Sequence, residues 1–259
     1  VIFRTMKKYI TTFAQFRQIP ISQRRHYYLD RDLIASIKVF THGAEPMLGR
    51  KVIETSGIIV APFCEDTNAL DEEGIAFKKY MMLNPNFEMM IRKKVLKKLL
   101  DAQKLLPKNW QIVLKAGFRP LIVQKMLFEE VVETEKSTHP DWDHDTLYRH
   151  CLTYVTDPDK YISPHATGGA VDILTIDKKS GEIIDMGSPI NAVGDASWCD
   201  FGENFKIKQV KNRDILISTM IRAGFANLAS EWWHFSYGDP RWATFYDKPF
   251  ARYPHFEIK

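Results

Sequence analysis

The residues best suited to chemistry fall in two compact segments. "SPHATGGAVDILTID", Ser163 to Asp177, carries His165 seven residues before Asp172, with Gly168 and Gly169 between them. "SEWWHFSYGDP", Ser230 to Pro240, carries Glu231 three residues before His234. Two histidines and a carboxylate are the composition of a catalytic zinc site, which draws three protein ligands from His, Asp or Glu and leaves a further position open. Each residue taken alone also has an ordinary reading as a hydrogen-bonded structural group, and the two readings stand side by side at this level.

The local pattern favours a site. Period-two alternation puts Asp172 on the side of Ala170 and Leu174, where apolar residues belong. An ionised carboxylate there is costly unless it is paired or bound to a metal. Gly168 and Gly169 let the chain fold tightly, so that the His165 imidazole can return to the start of the strand. Ser163 brings a hydroxyl to the edge of the same pocket. If Glu231 to Phe235 were all regular strand, Glu231 and His234 would face opposite sides. The reading therefore puts Glu231 in the turn before the strand, with Trp232 and Trp233 either walling the site or serving as core aromatics. Zinc brings the pKa of bound water to ~7, so a neighbouring carboxylate can move a proton to a leaving amine. Glu231 is the candidate for that work because it is not needed as a ligand. Arg119, in "GFRP" at the end of an expected strand, is placed either to stabilise an oxyanion or to face solvent from a turn.

Helices and strands must bring these residues together. Met90 to Leu106 reads as a helix stopped by Pro107, and "WQIVLKAGF" as a strand with Ile112, Leu114 and Ala116 on one face. Pro120 is suited to open a helix through "LIVQKMLFEEVVETEK", and about Asp145 to Val155 a further helix carries Leu147, Cys151 and Tyr154. "GGAVDILTID" and "GEIIDMG", split by "KKS", read as a hairpin. "NRDILISTMIRAGF" is helical with Asn212 as N-cap and Gly224 at its end, and "WWHFSYG" is the last strand. Earlier, "VIETSGIIVAPF" reads as one or two short strands and "AFKKYMMLNPNF" as a short element ended by Pro85. No repeat, low-complexity run or linker divides the chain, so the expectation is one α+β domain over 1–259. Its motif-bearing core is about 88–245, with residues 1–87 an extension or part of the same domain.

Composition narrows the function classes. At 259 residues and 45% hydrophobic content, the chain can build its core without disulfides or metal, so a metal would be there for chemistry. A net charge of +4 without a basic tail or aromatic-basic repeat gives no footprint for nucleic acid. The run "RKKVLKKLLDAQK", Arg92 to Lys104, reads as a solvated amphipathic helix. Cys64, Cys151 and Cys199 form neither a disulfide framework nor a cysteine zinc site. No segment reaches the ~20 apolar residues of a membrane span. "MKKYITTFAQF" makes a poor signal-peptide core, while the start at Val1 leaves room for an export signal already removed. Cytoplasm and periplasm both stay open.

In order and spacing, "GFRP", "SPHATGGAVD" and "EWWH" resemble the Arg, Ser-x-His-x-x-Gly-x-Ala-x-Asp and Glu-x-x-His elements of the zinc-dependent D-alanyl-D-alanine dipeptidases of peptidase family M15, the vancomycin-resistance type. "IIDMGS" and "NRDILISTMIRAGFANLASEWWH" are similar to the same family, and the likeness runs from about Trp110 to Asp239. The resemblance implies one zinc ion per chain on His165, Asp172 and His234, Glu231 as base and Arg119 at the oxyanion. It implies Ser163 at the substrate carboxylate, and a small antiparallel sheet flanked by helices, the fold shared with D,D-carboxypeptidases and the Hedgehog zinc domain. The implied reaction is hydrolysis of D-Ala-D-Ala, a cell-wall dipeptide, to two D-alanines. Where the family shows an aspartate for the substrate's amino group this chain has Asn191, with Asp195 nearby. An amide hydrogen-bonds an ammonium without neutralising it. A D,D-carboxypeptidase or other peptidoglycan peptidase taking longer D-Ala-terminated peptides is the near alternative, and a catalytically silent zinc domain is the alternative of another class.

Overall fold

Strands mostly from the middle and last thirds of the chain, joined by one from the first third, build a five-stranded sheet. The computed structural model describes residues 8–10, 12–29, 31–40, 45–61, 79–192, 194–200 and 205–257. The sheet comprises Ile59–Val60 (β1), Trp110–Ala116 (β2), Ala170–Asp177 (β3), Ala226–Leu228 (β4) and Glu231–Ser236 (β5), in the order β1-β2-β3-β5-β4. The pairs β2–β3, β3–β5 and β5–β4 are antiparallel, whereas the edge strand β1 runs parallel to β2. The expected antiparallel sheet is therefore right for its centre and mixed at one edge.

One face of the sheet makes the main core. Ile112, Leu114, Val171, Ile173 and Phe235 are fully buried there. Helices Lys93–Leu105 (α1), through Val95 and Leu99, and Ile207–Arg222 (α4), through Leu216 and Met220, cover it. Phe16, Ile53 and Ile58 from the N-terminal part belong to the same cluster. Leu121–Thr138 (α2) and His144–Tyr154 (α3) instead pack on each other through smaller clusters around Val123 and Leu127, and around Val131, Leu147 and Cys151. The opposite face of β3 carries Asp172 beside Ala170 and Leu174.

Several expectations are corrected. Met90–Arg92 is a strand paired with Met47–Gly49, and the helix begins only at Lys93. Arg92 is buried because its guanidinium donates to the carbonyls of Thr167 and Glu45, a tertiary demand that overrides helical periodicity. Asn212 is not an N-cap: α4 starts five residues earlier with Lys206 at the cap, and Asn212 Nδ2 donates to the Asp185 carbonyl. The second hairpin strand reduces to a bridge between Ile183 and Ile176. Asp185 then turns the chain by accepting from Gly187 N and Gln209. Arg50–Thr55 is helical where "VIET" suggested strand, leaving only Ile59–Val60 extended, and residues 79–83 are helical ahead of Pro85. Cys151 and Cys199 are buried free thiols, and Cys64 lies outside the described residues. Among the described residues no helix is long and apolar enough to cross a membrane.

Candidate functional site

The three predicted ligands meet on the face of the sheet away from the main core. Asp172 and His234 are direct cross-strand partners on β3 and β5. Val171 and Ile173 point into the core, so Asp172 points the other way. His165 arrives on the short 3-10 turn His165–Thr167, which ends at Gly168 with φ 70°. Glycine adopts that conformation without steric cost. Gly169 meets a different need, because a Cβ there would lie 2.4 Å from the Tyr237 carbonyl.

The ligand atoms of His165, Asp172 and His234 all lie within 4.8 Å of one another, and all three residues are buried. His165 Nε2 is 3.2 Å from Asp172 Oδ2 and 3.2 Å from His234 Nδ1, and His234 Nδ1 is 3.1 Å from Asp172 Oδ1. On its other side His165 Nδ1 lies 2.8 Å from the Gly117 carbonyl. A carbonyl only accepts, so Nδ1 carries the proton and a neutral ring turns its Nε2 lone pair toward the Asp172 carboxylate. Acceptors facing acceptors in a buried space call for a cation, and His/Asp is a donor set that suits zinc. The Nδ1 bond to Gly117 is the kind of outer contact that fixes a ligating histidine.

Glu231 is the first residue of β5, not part of the turn before it, and its Oε2 lies 3.8 Å from His234 Nδ1. The facing problem is solved by a break in register: Glu231 pairs with Leu228, yet Phe235 pairs with Asn227, so the intervening residues leave β4 and His234 pairs with β3. Burial raises the Glu231 carboxyl above its ordinary range, with the nearby charge of Asp172 adding to it. Trp233 lines the cavity over the site. Trp232 instead packs in the core and donates to Ser188 Oγ, so one tryptophan walls the site and not both.

Arg119 is buried, not solvent-facing, and burial lowers its pKa to about 10, with Asp172 and Glu231 opposing the shift. Its Nη1 donates to Gln124 Oε1 at 2.7 Å, and Ser163 Oγ donates to the same oxygen at 3.0 Å. Gln124 Nε2 donates onward to the Thr156 carbonyl. Gln124 is thus a site residue that sequence reading missed; its signal was an amide beside Val123, Leu127 and Val131 on the buried side of α2. Asn191 lines the cavity in a left-handed conformation, φ 64°, and the side chain of Asp195 lies outside what is described. Arg31 and Arg241, also unforeseen, complete the wall of a cavity of about 570 Å³.

Known proteins are similar to this chain to differing extents. A D-alanyl-D-alanine dipeptidase of Synechocystis is 27% identical over 182 residues, covering 61% of this chain and 73% of that protein. One from Escherichia coli K12 is 28% identical over 125 residues, covering 48% of this chain and 54% of its own length. The chain thus spans only about half of that second relative. A solved vancomycin-resistance D,D-pentapeptidase, VanY, in complex with Zn(II) is 16% identical with a TM-score of 0.38, covering 64% of this chain and 83% of the other. The family described as D-ala-D-ala dipeptidase, Peptidase M15, matches residues 74–256, a span that holds every ligand and candidate catalytic residue named above, and the chain belongs to that family.

Proposed function

We propose that this chain hydrolyses D-alanyl-D-alanine to two D-alanines, using one zinc ion held by His165, Asp172 and His234 and Glu231 as general base. The observation that carries this reading is the buried cluster of three ligand atoms within 4.8 Å, with the Glu231 carboxylate 3.8 Å from His234 and opening on the same cavity. When bound, zinc supplies Lewis acidity that activates water near neutral pH and polarises the scissile carbonyl.

The chain's own residues do the rest. Glu231 takes a proton from the attacking water and delivers it to the amine as the C–N bond breaks, a transfer its raised pKa assists. The Arg119 guanidinium donates to the developing negative oxygen in a water-poor setting, where such a donor is worth most. Gln124 holds Arg119 and Ser163 in one fixed relation, and the Ser163 hydroxyl turns its proton from Gln124 Oε1 to the substrate's terminal carboxylate on binding. Both Glu231 and Arg119 line the cavity, and a purely structural metal site needs neither. The shared core from Phe16 to Tyr253 supports reading the chain as a single domain.

A second reading, a D,D-carboxypeptidase on longer peptides, is favoured by one observation: the cavity wall at Asn191 offers a neutral amide where an ammonium would prefer a carboxylate. Metal-analysed protein given free D-Ala-D-Ala and an N-acylated D-Ala-D-Ala separates the two. Faster cleavage of the free dipeptide supports dipeptidase action, and faster cleavage of the acylated peptide overturns it. Zinc-loaded protein that cleaves neither would leave a silent binding domain.

A further inference from the structure

The cavity holds more positive charge than the proposed mechanism uses. Arg31, Arg119 and Arg241 all line it, together with the acids Glu135, Asp172 and Glu231. Glu135 is engaged by His150 at 3.1 Å, and Asp172 by the two histidines. Of the lining acids Glu231 is then the one left to face three guanidiniums, with Asp239 acting on Arg241 from the helix cap, and a bound divalent cation would widen the excess.

Arg241 lies on the short helix Pro240–Phe245 (α5), whose cap Asp239 spends Oδ1 on Trp242 N and Ser236 Oγ. Arg31 starts a helix in the N-terminal part and places one guanidinium nitrogen on Thr156 Oγ1. The Nε atoms of both are buried with no hydrogen-bond partner among the described residues. Their charges are felt by each other and by Glu231. A buried guanidinium short of partners is costly, and a carboxylate completes it through two parallel bonds.

Position says which carboxylate. Arg31, Arg241, Thr156 and Pro164 are shared between the main cavity and an adjoining one of about 110 Å³. Arg31 donates to Thr156 Oγ1, and Gln124, which accepts from Ser163, donates to the Thr156 carbonyl, so the arginine pair adjoins the Ser163–Gln124 bridge. That is the side proposed above for the substrate's carboxyl end. We infer that Arg241, with Arg31 beside it, is the specificity-determining pair that selects a free C-terminal carboxylate. This rests on the hydrolase reading for which end of the substrate it meets.

The test uses D-Ala-D-Ala and its C-terminal amide as probes, titrated calorimetrically into full-length metal-free protein and, separately, into zinc-loaded Glu231→Gln. The acid is expected to bind about 10- to 100-fold more tightly than the amide in the otherwise native chain. The ratio should fall to near one in Arg241→Met, to an intermediate value in Arg241→Lys, and partway in Arg31→Gln, with thermal unfolding confirming that each variant is folded. If Arg241→Met does not fold, Arg241→Lys and Arg31→Gln carry the test. An unchanged ratio in the folded variants, or no preference for the acid in the native background, overturns the inference. Turnover separates the two layers: protein that selects the acid but cleaves no D-Ala-terminated peptide sinks the hydrolase reading alone. Protein that cleaves acid and amide equally well sinks the carboxylate selection alone.

Discussion

Asp172 and His234 face each other in register across β3 and β5, with Oδ1 and Nδ1 3.1 Å apart. Two of the proposed ligands are thereby fixed by backbone pairing in the middle of a sheet, and only the third, His165, depends on a loop. That loop is itself pinned, since Arg119 N donates to the His165 carbonyl and His165 Nδ1 to the Gly117 carbonyl. A site held this way needs little rearrangement to accept a metal.

Metal binding and catalysis should therefore separate by mutation. Asp172→Asn and His165→Ala are expected to reduce bound zinc from one equivalent to a small fraction, read by metal analysis after dialysis. Glu231→Ala should keep the zinc and lose activity by about a hundred- to ten-thousand-fold. Ordinary turnover in Glu231→Ala would mean that another group serves as base.

Gln124 should behave as a positioning residue. Gln124→Ala removes the shared acceptor of Arg119 and Ser163, and kcat/KM should fall by about tenfold or more while zinc content stays at the native level. Gln124→Glu keeps an acceptor for both but sets a carboxylate oxygen against the Thr156 carbonyl, so partial recovery relative to Gln124→Ala is expected. Equal kinetics in Gln124→Ala and the native chain would show that the bridge is only structural.

The candidate metal ligands were legible in the sequence because their types and spacing are dictated by chemistry, and strand alternation marked Asp172 as a carboxylate sharing a face with Ala170 and Leu174. The register break that lets Glu231 and His234 share a site was not legible, since it arises from which neighbour each residue of β5 pairs with. Arg241 and Arg31 were missed for a related reason. Each looks like a surface arginine until α5 and the N-terminal part are packed over the cavity. Asn212 shows the converse error, a residue type suited to a cap but taken instead by the Asp185 carbonyl.

Removing the metal should leave the fold standing. The core on the far side of the sheet, built from residues such as Val171, Ile173 and Phe235, owes nothing to the ligands. Chelated protein is therefore expected to keep native far-ultraviolet circular dichroism and a cooperative melt. Zinc at a hundred times its Kd should then raise Tm on the order of 5–10 °C. Loss of cooperative unfolding on chelation would show that the metal is part of the folding core.

The two glycine turns around β3 offer a contrast between contact and conformation. Gly181 has φ 76° and open space where a Cβ would go, so Gly181→Ala costs only the left-handed backbone penalty, about 1–2 kcal/mol, and should leave activity intact. Gly169 sits between the His165 turn and Asp172, and a Cβ there meets the Tyr237 carbonyl at 2.4 Å and Thr167 Oγ1 at 3.0 Å. Neither neighbour yields freely, because Tyr237 N donates to Gly169 O and Thr167 Oγ1 accepts from Gly169 N. Gly169→Ala must therefore push the His165 turn away from β3. It should lower stability by about 1–3 kcal/mol and weaken zinc binding at the same time. Thermal melts with and without zinc measure both effects, and a Gly169→Ala protein with native zinc affinity would show that the turn tolerates the shift.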